Sequence, residues 1–453
     1  MAYDIAVIGA GPGGYDAATE AASFGLKVAL VEKGDLGGTC LNWGCIPTKV
    51  ILGATSAVEE LASQRKMKVA DGEVNIDYAA LATRKDKLIA GTRKAMVQRL
   101  KQLGVDLYTG LGRIPTSGKV SVETPEGTQE IEAANIIVAT GSKPTFFPGL
   151  APDGERVMDS NDFLAMTEMP ESLIVVGAGF IGLEMAQAAH RMGAKVTVVD
   201  AMDRVAPLED PEVSKTLQSI FKRWKWDVRL GVRVQSVKTE SDKAVLTLEG
   251  GDVVEADKAL VAVGRGPVSN NLGLEELGAT LERGTIKVNE YLEAAPGIYA
   301  IGDVNGIIQL AHAASHQAHY AASRIAGKTE AAYESGPVPS VLYGAPETMR
   351  VGLMPEQLRV EGRPCETSKF AFAGNPIAQS HASTQGFCKV IWSDNKVVGV
   401  TAVGHDASRL TTPATMIVQE GWTPNDIHGT IFPHPSLDEA LLNALKAERT
   451  ECK

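Results

Sequence analysis

Cysteine is scarce in this chain: there are five in 453 residues, too few for a disulfide scaffold at this length. Cys365, Cys388 and Cys452 have no short-range partner and are expected to be structural or incidental. Long apolar runs are also missing. None approaches the ~20 residues of a membrane span, so no membrane partner is expected. Positive charge is outnumbered, with 44 Lys and Arg against 55 Asp and Glu and a net charge of −11. That balance argues against nucleic acid or an anionic lipid surface as the main partner, although it still suits a basic face on another protein. Low-complexity segments are absent. No targeting segment is visible, because residues 4–9, "DIAVIG", already read as a buried strand. The expectation is a soluble, cytoplasmic chain with nothing removable ahead of its fold.

What the chain does have is a repeated unit. Hydrophobic residues make up 44% and charged residues 22%, as in ordinary globular enzymes, and the length calls for two to four domains. "DIAVIGAGPGGYDAATEAASFGLKVALVEK" and "SLIVVGAGFIGLEMAQAAHRMGAKVTVVDA" each give an apolar strand, a glycine-rich turn, a helix and a second strand ending in an acid. A charged helical stretch at 84–103 and strand-like segments at 105–138 separate the two copies. "VATGSKPTFFPG" (138–149) has the glycine and proline density of a domain crossover. Another helical run covers 311–326. Beyond it, "VPSVLYGAPETMRVGL", "FCKVIWSDNKVVGVTAVG" and helices near 407–420 and 436–447 suggest an antiparallel α+β layer. The expected fold is α/β: two Rossmann-like dinucleotide-binding domains (1–145 completed by 266–335, and 146–265) plus a C-terminal α+β dimerisation domain (336–453).

Gly9, Gly11 and Gly14 form G-x-G-x-x-G at a strand-to-helix turn, and Glu32 ends the next strand. The first glycine permits the turn, the second lets backbone approach a pyrophosphate, and the third lets helix and strand pack closely. The pyrophosphate would sit on the helix N-terminus and the acid would take ribose hydroxyls. Gly177, Gly179, Gly182 and Asp200 repeat the pattern. A carboxylate at position 200 suits the free 2′-hydroxyl of NAD and would repel a 2′-phosphate. Two such turns suggest one resident flavin and one passing nicotinamide.

Directly after the first unit comes "GGTCLNWGCIPTK" (37–49), with Cys40 and Cys45. Zinc needs about four ligands; this pair offers two, with no histidine nearby, so no metal is expected. A structural staple is disfavoured by a cytosolic setting. A regular helix would separate these residues by ~7.5 Å, beyond the ~6.8 Å limit for bridged Cα atoms, so a bond between them requires a distorted segment. A strained, reducible bond suits a working disulfide. Lys49 lies four residues past Cys45, and a nearby cation favours thiolate.

This segment resembles the redox-active segment of the flavin-dependent disulfide reductases, and within them the branch that oxidises dihydrolipoamide more than glutathione reductase. The likeness runs along the chain in order: flavin turn, disulfide segment, "ATGS", nicotinamide turn, "AVGR", "AIGD", "LAHAA" and a C-terminal "HPSLDE". It implies FAD and NAD as cofactors. Glu32 and the first glycines would bind the adenosine half of FAD, with Gly112 near the adenine. Lys49 would sit by the flavin ring and pair with Glu184. Thr140, Gly141 and Ser142 would pass the flavin, Asp303 would hold the ribitol, and Gln309, Leu310, Ala311 and His312 would lie along the ring. Gly264 and Val234 would touch the nicotinamide nucleotide. Cys40 would be the outer, interchange thiol and Cys45 the thiol facing the flavin.

The resemblance also makes His434 the base and Glu439 the residue that orients it, serving the other subunit's disulfide, which implies an obligate homodimer. The electron donor would be a lipoylated protein, of the 2-oxoacid dehydrogenase acyltransferase or glycine-cleavage H-protein type. Two departures stand out. Phe432 occupies a position where this branch commonly has a second histidine, and Asp200 replaces a commoner glutamate. The rival readings are another NAD(P)H-dependent disulfide reductase of the family, or a non-catalytic FAD/NAD-binding redox sensor.

Overall fold

The computed structural model describes residues 2–452. The chain divides into two compact units. One comprises Met1–Thr48, Ala82–Thr145 and Gly264–Ser335; the other comprises Lys49–Leu81, Phe146–Val263 and Gly336–Lys453.

In the first unit the strand Tyr3–Ile8 lies at the centre of a mostly parallel sheet. It pairs in parallel with Val28–Glu32 on one side and Gly127–Val138 on the other. Asp106–Thr109 and Ile298–Ala300 extend the sheet in the same sense. Ile5, Ala6, Val7 and Ile8 are all buried, as expected for a strand covered on both faces. The helix Pro12–Ser23 buries a stripe of small residues, including Ala17, Ala18 and Ala21. These share a core with Ala318, Ala321 and Ala322 of the helix Ala311–Ile325. Alanine on both faces lets the two helix axes approach closely. Leu111–Thr116 and Lys119–Thr124 form an antiparallel extension that runs into Gly127–Val138.

The second unit contains a five-stranded parallel sheet ordered Asp227–Leu230, Lys195–Asp200, Ser172–Val176, Lys258–Val261, Val157–Met158. A small antiparallel sheet of Val234–Glu240, Lys243–Leu248 and Val253–Ala256 accompanies it. Ile51, Leu52, Tyr78 and Leu81 share a core with Leu183 and Met185, which is why Lys49–Leu81 belongs to this unit. The C-terminal part is a six-stranded antiparallel sheet whose inner strands are Glu347–Gly352, Lys396–Gly404, Phe387–Ser393 and Glu366–Ala371. The helices Thr411–Glu420 and Asp438–Lys446 pack onto it through a core that includes Val390, Trp392, Ala414, Leu441 and Ala444. Among the described residues no helix is long and apolar enough to cross a membrane.

The structure adds a long-range pairing that the sequence left open. Cys365 and Cys452 are not isolated: they form a disulfide across 87 residues of sequence. The short strand Thr450–Glu451 pairs with Glu366–Ala371, and the Cys452 amide donates to the Cys365 carbonyl at 2.9 Å. Strand pairing brings the two sulfurs together, and spacing along the chain could not reveal that. Cys388 is fully buried in its strand, and burial pushes its thiol up to about 12, so it stays protonated and inert.

Candidate active site

Both glycine turns have the geometry that their sequence demands. Gly9 has φ +100°, and a Cβ there would lie 2.4 Å from the Ala139 carbonyl oxygen. A Cβ on Gly14 would lie 1.8 Å from the Gly9 carbonyl oxygen. In the second turn Gly177 has φ +110° and would collide with Ala262, while Gly182 would collide with Gly177. The N-cap residues of the following helices, Gly11 for Pro12–Ser23 and Gly179 for Phe180–Arg191, have no side chain to cap them, which suits first-turn amides that receive an anion.

The acids are fixed in matching ways. Glu32 accepts from the amides of Ala10 (2.7 Å) and Gly34 (2.9 Å). Asp200 accepts from Ala178 (2.5 Å) and Met202 (2.7 Å). Each carboxylate has lone pairs left over, so each is oriented and still able to take a ribose hydroxyl. Both turns therefore fit a dinucleotide: uncapped helix amides, an approachable backbone glycine and an aimed acid.

The redox segment folds as two short helices, Gly38–Trp43 carrying Cys40 and Cys45–Ala54 opening on Cys45. Gly44 separates them with φ −152° and ψ −110°, which supplies the interruption that a bond between these cysteines requires. Its carbonyl accepts from the Thr48 amide (3.1 Å) and hydroxyl (2.7 Å). Cys40 is half-buried and Cys45 exposed. Gly37 and Gly38 both have positive φ, and a Cβ on Gly38 would lie only 2.6 Å from the Gly11 Cα. The segment therefore rests directly on the first glycine turn at Gly38, while a Cβ on Gly37 would collide with Leu41 of the segment's own helix.

Around the crossover, the Ser142 hydroxyl donates to Asp303, the Thr140 hydroxyl donates to the Val268 carbonyl, and the Val268 amide donates to Gly141. Arg265 donates through Nε to the Ser142 hydroxyl (2.9 Å) and through Nη2 to its carbonyl (2.8 Å) and to Thr39 (3.3 Å). Sequence reasoning missed Arg265, whose partners lie 123 and 226 residues away. Gly112 lies close against Ile8 and Val31, and Gly264 has φ +138°. Leu310 opens the helix Ala311–Ile325, with Gln309 and His312 exposed beside it. Val234 begins its strand half-buried.

In the second unit the Lys49 ammonium pairs with Glu184 at 2.6 Å and lies 4.5 Å from the centre of the Tyr343 ring. Glu184 also accepts from the Tyr343 amide at 3.0 Å. Burial pushes the Glu184 carboxyl up, while Lys49 and the Tyr343 amide pull it back. His434 Nδ1 and Glu439 Oε1 are 2.9 Å apart, and Glu439 Oε2 accepts from the Ser436 amide at 3.0 Å. The His434 hydrogen bond, followed by the Ser436 amide, holds the Glu439 carboxyl below its ordinary value. The imidazole is 73% exposed, leaving its other nitrogen open to a substrate proton. Among the described residues no group of three or more His, Cys, Asp or Glu side chains could hold a metal ion.

The fold and these sites define a two-dinucleotide disulfide oxidoreductase. The sequence belongs to the pyridine nucleotide-disulphide oxidoreductase family, matching its main domain over residues 3–318 and its dimerisation domain over 338–445. Members of this family use FAD and NAD. The chain is 38% identical to dihydrolipoyl dehydrogenase of Chlorobaculum parvum, over 98% of its own length and 96% of the relative's. It is 36% identical to dihydrolipoyl dehydrogenase of Bacillus subtilis, with 98% of each covered. Among solved structures it is similar to LpdA of Mycobacterium tuberculosis, with TM-score 0.91, 28% identity and 98% of each chain covered. It is also similar to RclA of Escherichia coli, an HOCl-induced flavoprotein disulfide reductase, with TM-score 0.88, 26% identity and 98% and 99% covered.

Proposed function

We propose that the chain is a cytoplasmic dihydrolipoyl dehydrogenase that oxidises dihydrolipoamide on a carrier protein and reduces NAD⁺. The observation that carries this reading is the redox segment itself: two cysteines, separated by a glycine break, lie in a segment resting on the first dinucleotide turn. Near full-length similarity to proteins of that name supports the choice of substrate.

FAD would be held by the Gly9–Gly14 turn, Glu32, Gly112, Thr140–Ser142 and Asp303, with Gln309–His312 and Lys49 along its ring. NAD⁺ would be held by Gly177, Gly179, Gly182, Glu184, Asp200, Val234 and Gly264. When bound, FAD accepts two electrons from the cysteine pair and delivers them to NAD⁺.

The chain's own residues would do the following. His434, oriented by Glu439, takes a proton from the first substrate thiol. The resulting thiolate attacks Cys40, the Cys40–Cys45 bond breaks, and Cys45 leaves as thiolate. His434 returns the first proton to the departing Cys40 sulfur and takes that of the second substrate thiol, which displaces Cys40. The substrate departs as its cyclic disulfide, leaving two reduced cysteines. Two electrons and two protons have left the substrate. The His434–Glu439 pair of one protomer serves the cysteines of the other, so the active unit is a homodimer; the family's dimerisation domain at residues 338–445 supports this. Lys49 is one helical turn beyond Cys45, and its charge favours thiolate there.

Steady-state turnover tests the reading. NAD⁺ reduction by free dihydrolipoamide should exceed NADPH oxidation by glutathione disulfide at least a hundredfold. The reverse preference would make the chain a different disulfide reductase.

A further inference from the structure

The helix that carries Cys40 should not be stable alone. Gly38–Trp43 has six residues, begins on Gly37 with no side-chain cap, and ends at Gly44. A helix this short does not repay its nucleation cost from its own hydrogen bonds. Something outside it must hold it.

The buried side chain of Asn42 supplies one such hold. Its amide nitrogen donates to the carbonyls of Asp35 (3.3 Å), Leu36 (3.1 Å) and Gly38 (2.9 Å), pinning the helix to the turn that precedes it. Its oxygen accepts from Arg93 Nε at 2.7 Å. Arg93 stands on the long helix Tyr78–Gln102, and its Nη1 pairs with Asp35 at 2.9 Å. One planar guanidinium thus joins both ends of residues 35–42. A lysine could not reproduce that fork. Asn42 is only 5% exposed, so without Arg93 its oxygen would be buried and short of a partner.

We infer that Arg93 is a positioning residue for the Cys40–Cys45 couple, acting through Asn42 and Asp35 to hold the Cys40 helix where its sulfur can close onto Cys45. This rests on the functional reading above and deepens it. Disulfide closure tolerates only a narrow range of Cα separations. Its equilibrium depends on the effective concentration of one thiol at the other. Holding the segment in place favours the bonded form, and releasing it makes the bond easier to reduce.

The test equilibrates flavin-loaded protein in glutathione redox buffers, traps the thiols with an alkylating agent, and reads the Cys40/Cys45 peptide by mass spectrometry. In Arg93→Ala the equilibrium constant for closing the bond should fall about tenfold, a midpoint ~30 mV less negative for a two-electron couple. Arg93→Lys, which keeps a charge for Asp35, should fall in between. Lys94→Ala, the exposed neighbour on the same helix, should match wild type. Flavin content and melting temperature identify a variant that has simply unfolded; if Arg93→Ala is lost in that way, Arg93→Lys decides. Midpoints within twofold of wild type in the variant that folds overturn the inference. Wild-type cysteines that fail to titrate as a pair overturn the functional reading instead, a distinct result.

Discussion

The two glycine turns share three glycines, an uncapped helix and an acid held by two backbone amides. Their surroundings differ. Gly11 has Gly38 of the redox segment against it, whereas among the described residues nothing lies within 4 Å of where a Cβ on Gly179 would stand. The same local code therefore makes two kinds of site. A turn covered by the chain's own cysteine segment suits a resident group, and an open turn suits one that comes and goes.

The comparison can be broken from either side. The largest effect should come from Cys40→Ser, which removes the attacked sulfur: dithiol-driven NAD⁺ reduction should fall at least ~10³-fold, while NADH oxidation by an artificial electron acceptor persists. If both fall together, the two turns do not serve separable half-reactions. Gly38→Ala puts a methyl group against Gly11 at a positive-φ position, and should lower flavin retention and dithiol turnover by about a hundredfold. The matching Gly179→Ala meets open space. It should leave flavin content unchanged and raise KM for NAD⁺ roughly tenfold by keeping the pyrophosphate from the backbone. Equal flavin loss in both variants would erase the distinction drawn here.

Smaller effects sharpen it. Asp200→Asn removes the charge that repels a 2′-phosphate and should narrow the preference for NAD⁺ over NADP⁺ by about tenfold, ~1.4 kcal/mol, read as a ratio of kcat/KM values. Glu439 belongs to neither turn and serves as a control. Its folded-state value is depressed, so its hydrogen bond to His434 is complete above the ordinary glutamate range and is lost as pH falls through the depressed value. Thermal melts of wild type and Glu439→Gln should therefore converge as pH falls from about 6 to 3. At neutral pH the variant should slow the dithiol step alone, by about tenfold or more.

How much of this was legible in the sequence follows from distance along the chain. Each turn and its acid sit within one βαβ unit, so the glycine spacing announced both. The pairing of His434 with Glu439 came from the family resemblance and not from the spacing; in the structure Nδ1 and Oε1 stand 2.9 Å apart. The need for a distorted segment between Cys40 and Cys45 followed from helix rise alone, and Gly44 supplies it. Arg93 was hidden: it read as one cation on a solvated, charged helix, and its partner Asn42 is 51 residues away. The Cys365–Cys452 bond was hidden for the same reason, since it depends on two strands meeting across 87 residues.

The amino-acid order alone determined the repeating βαβ units, the glycines at their turns, and the acid that ends the second strand of each. These are short-range demands of glycine conformation, helix periodicity and carboxylate chemistry, and they are written where they act. Only the tertiary structure decided that the cysteine segment lies on the first turn and that an arginine from a distant helix bonds to Asn42 and Asp35 within it. Such contacts form when separately specified pieces are packed together, and no local rule of the chain encodes which distant side chain will meet which.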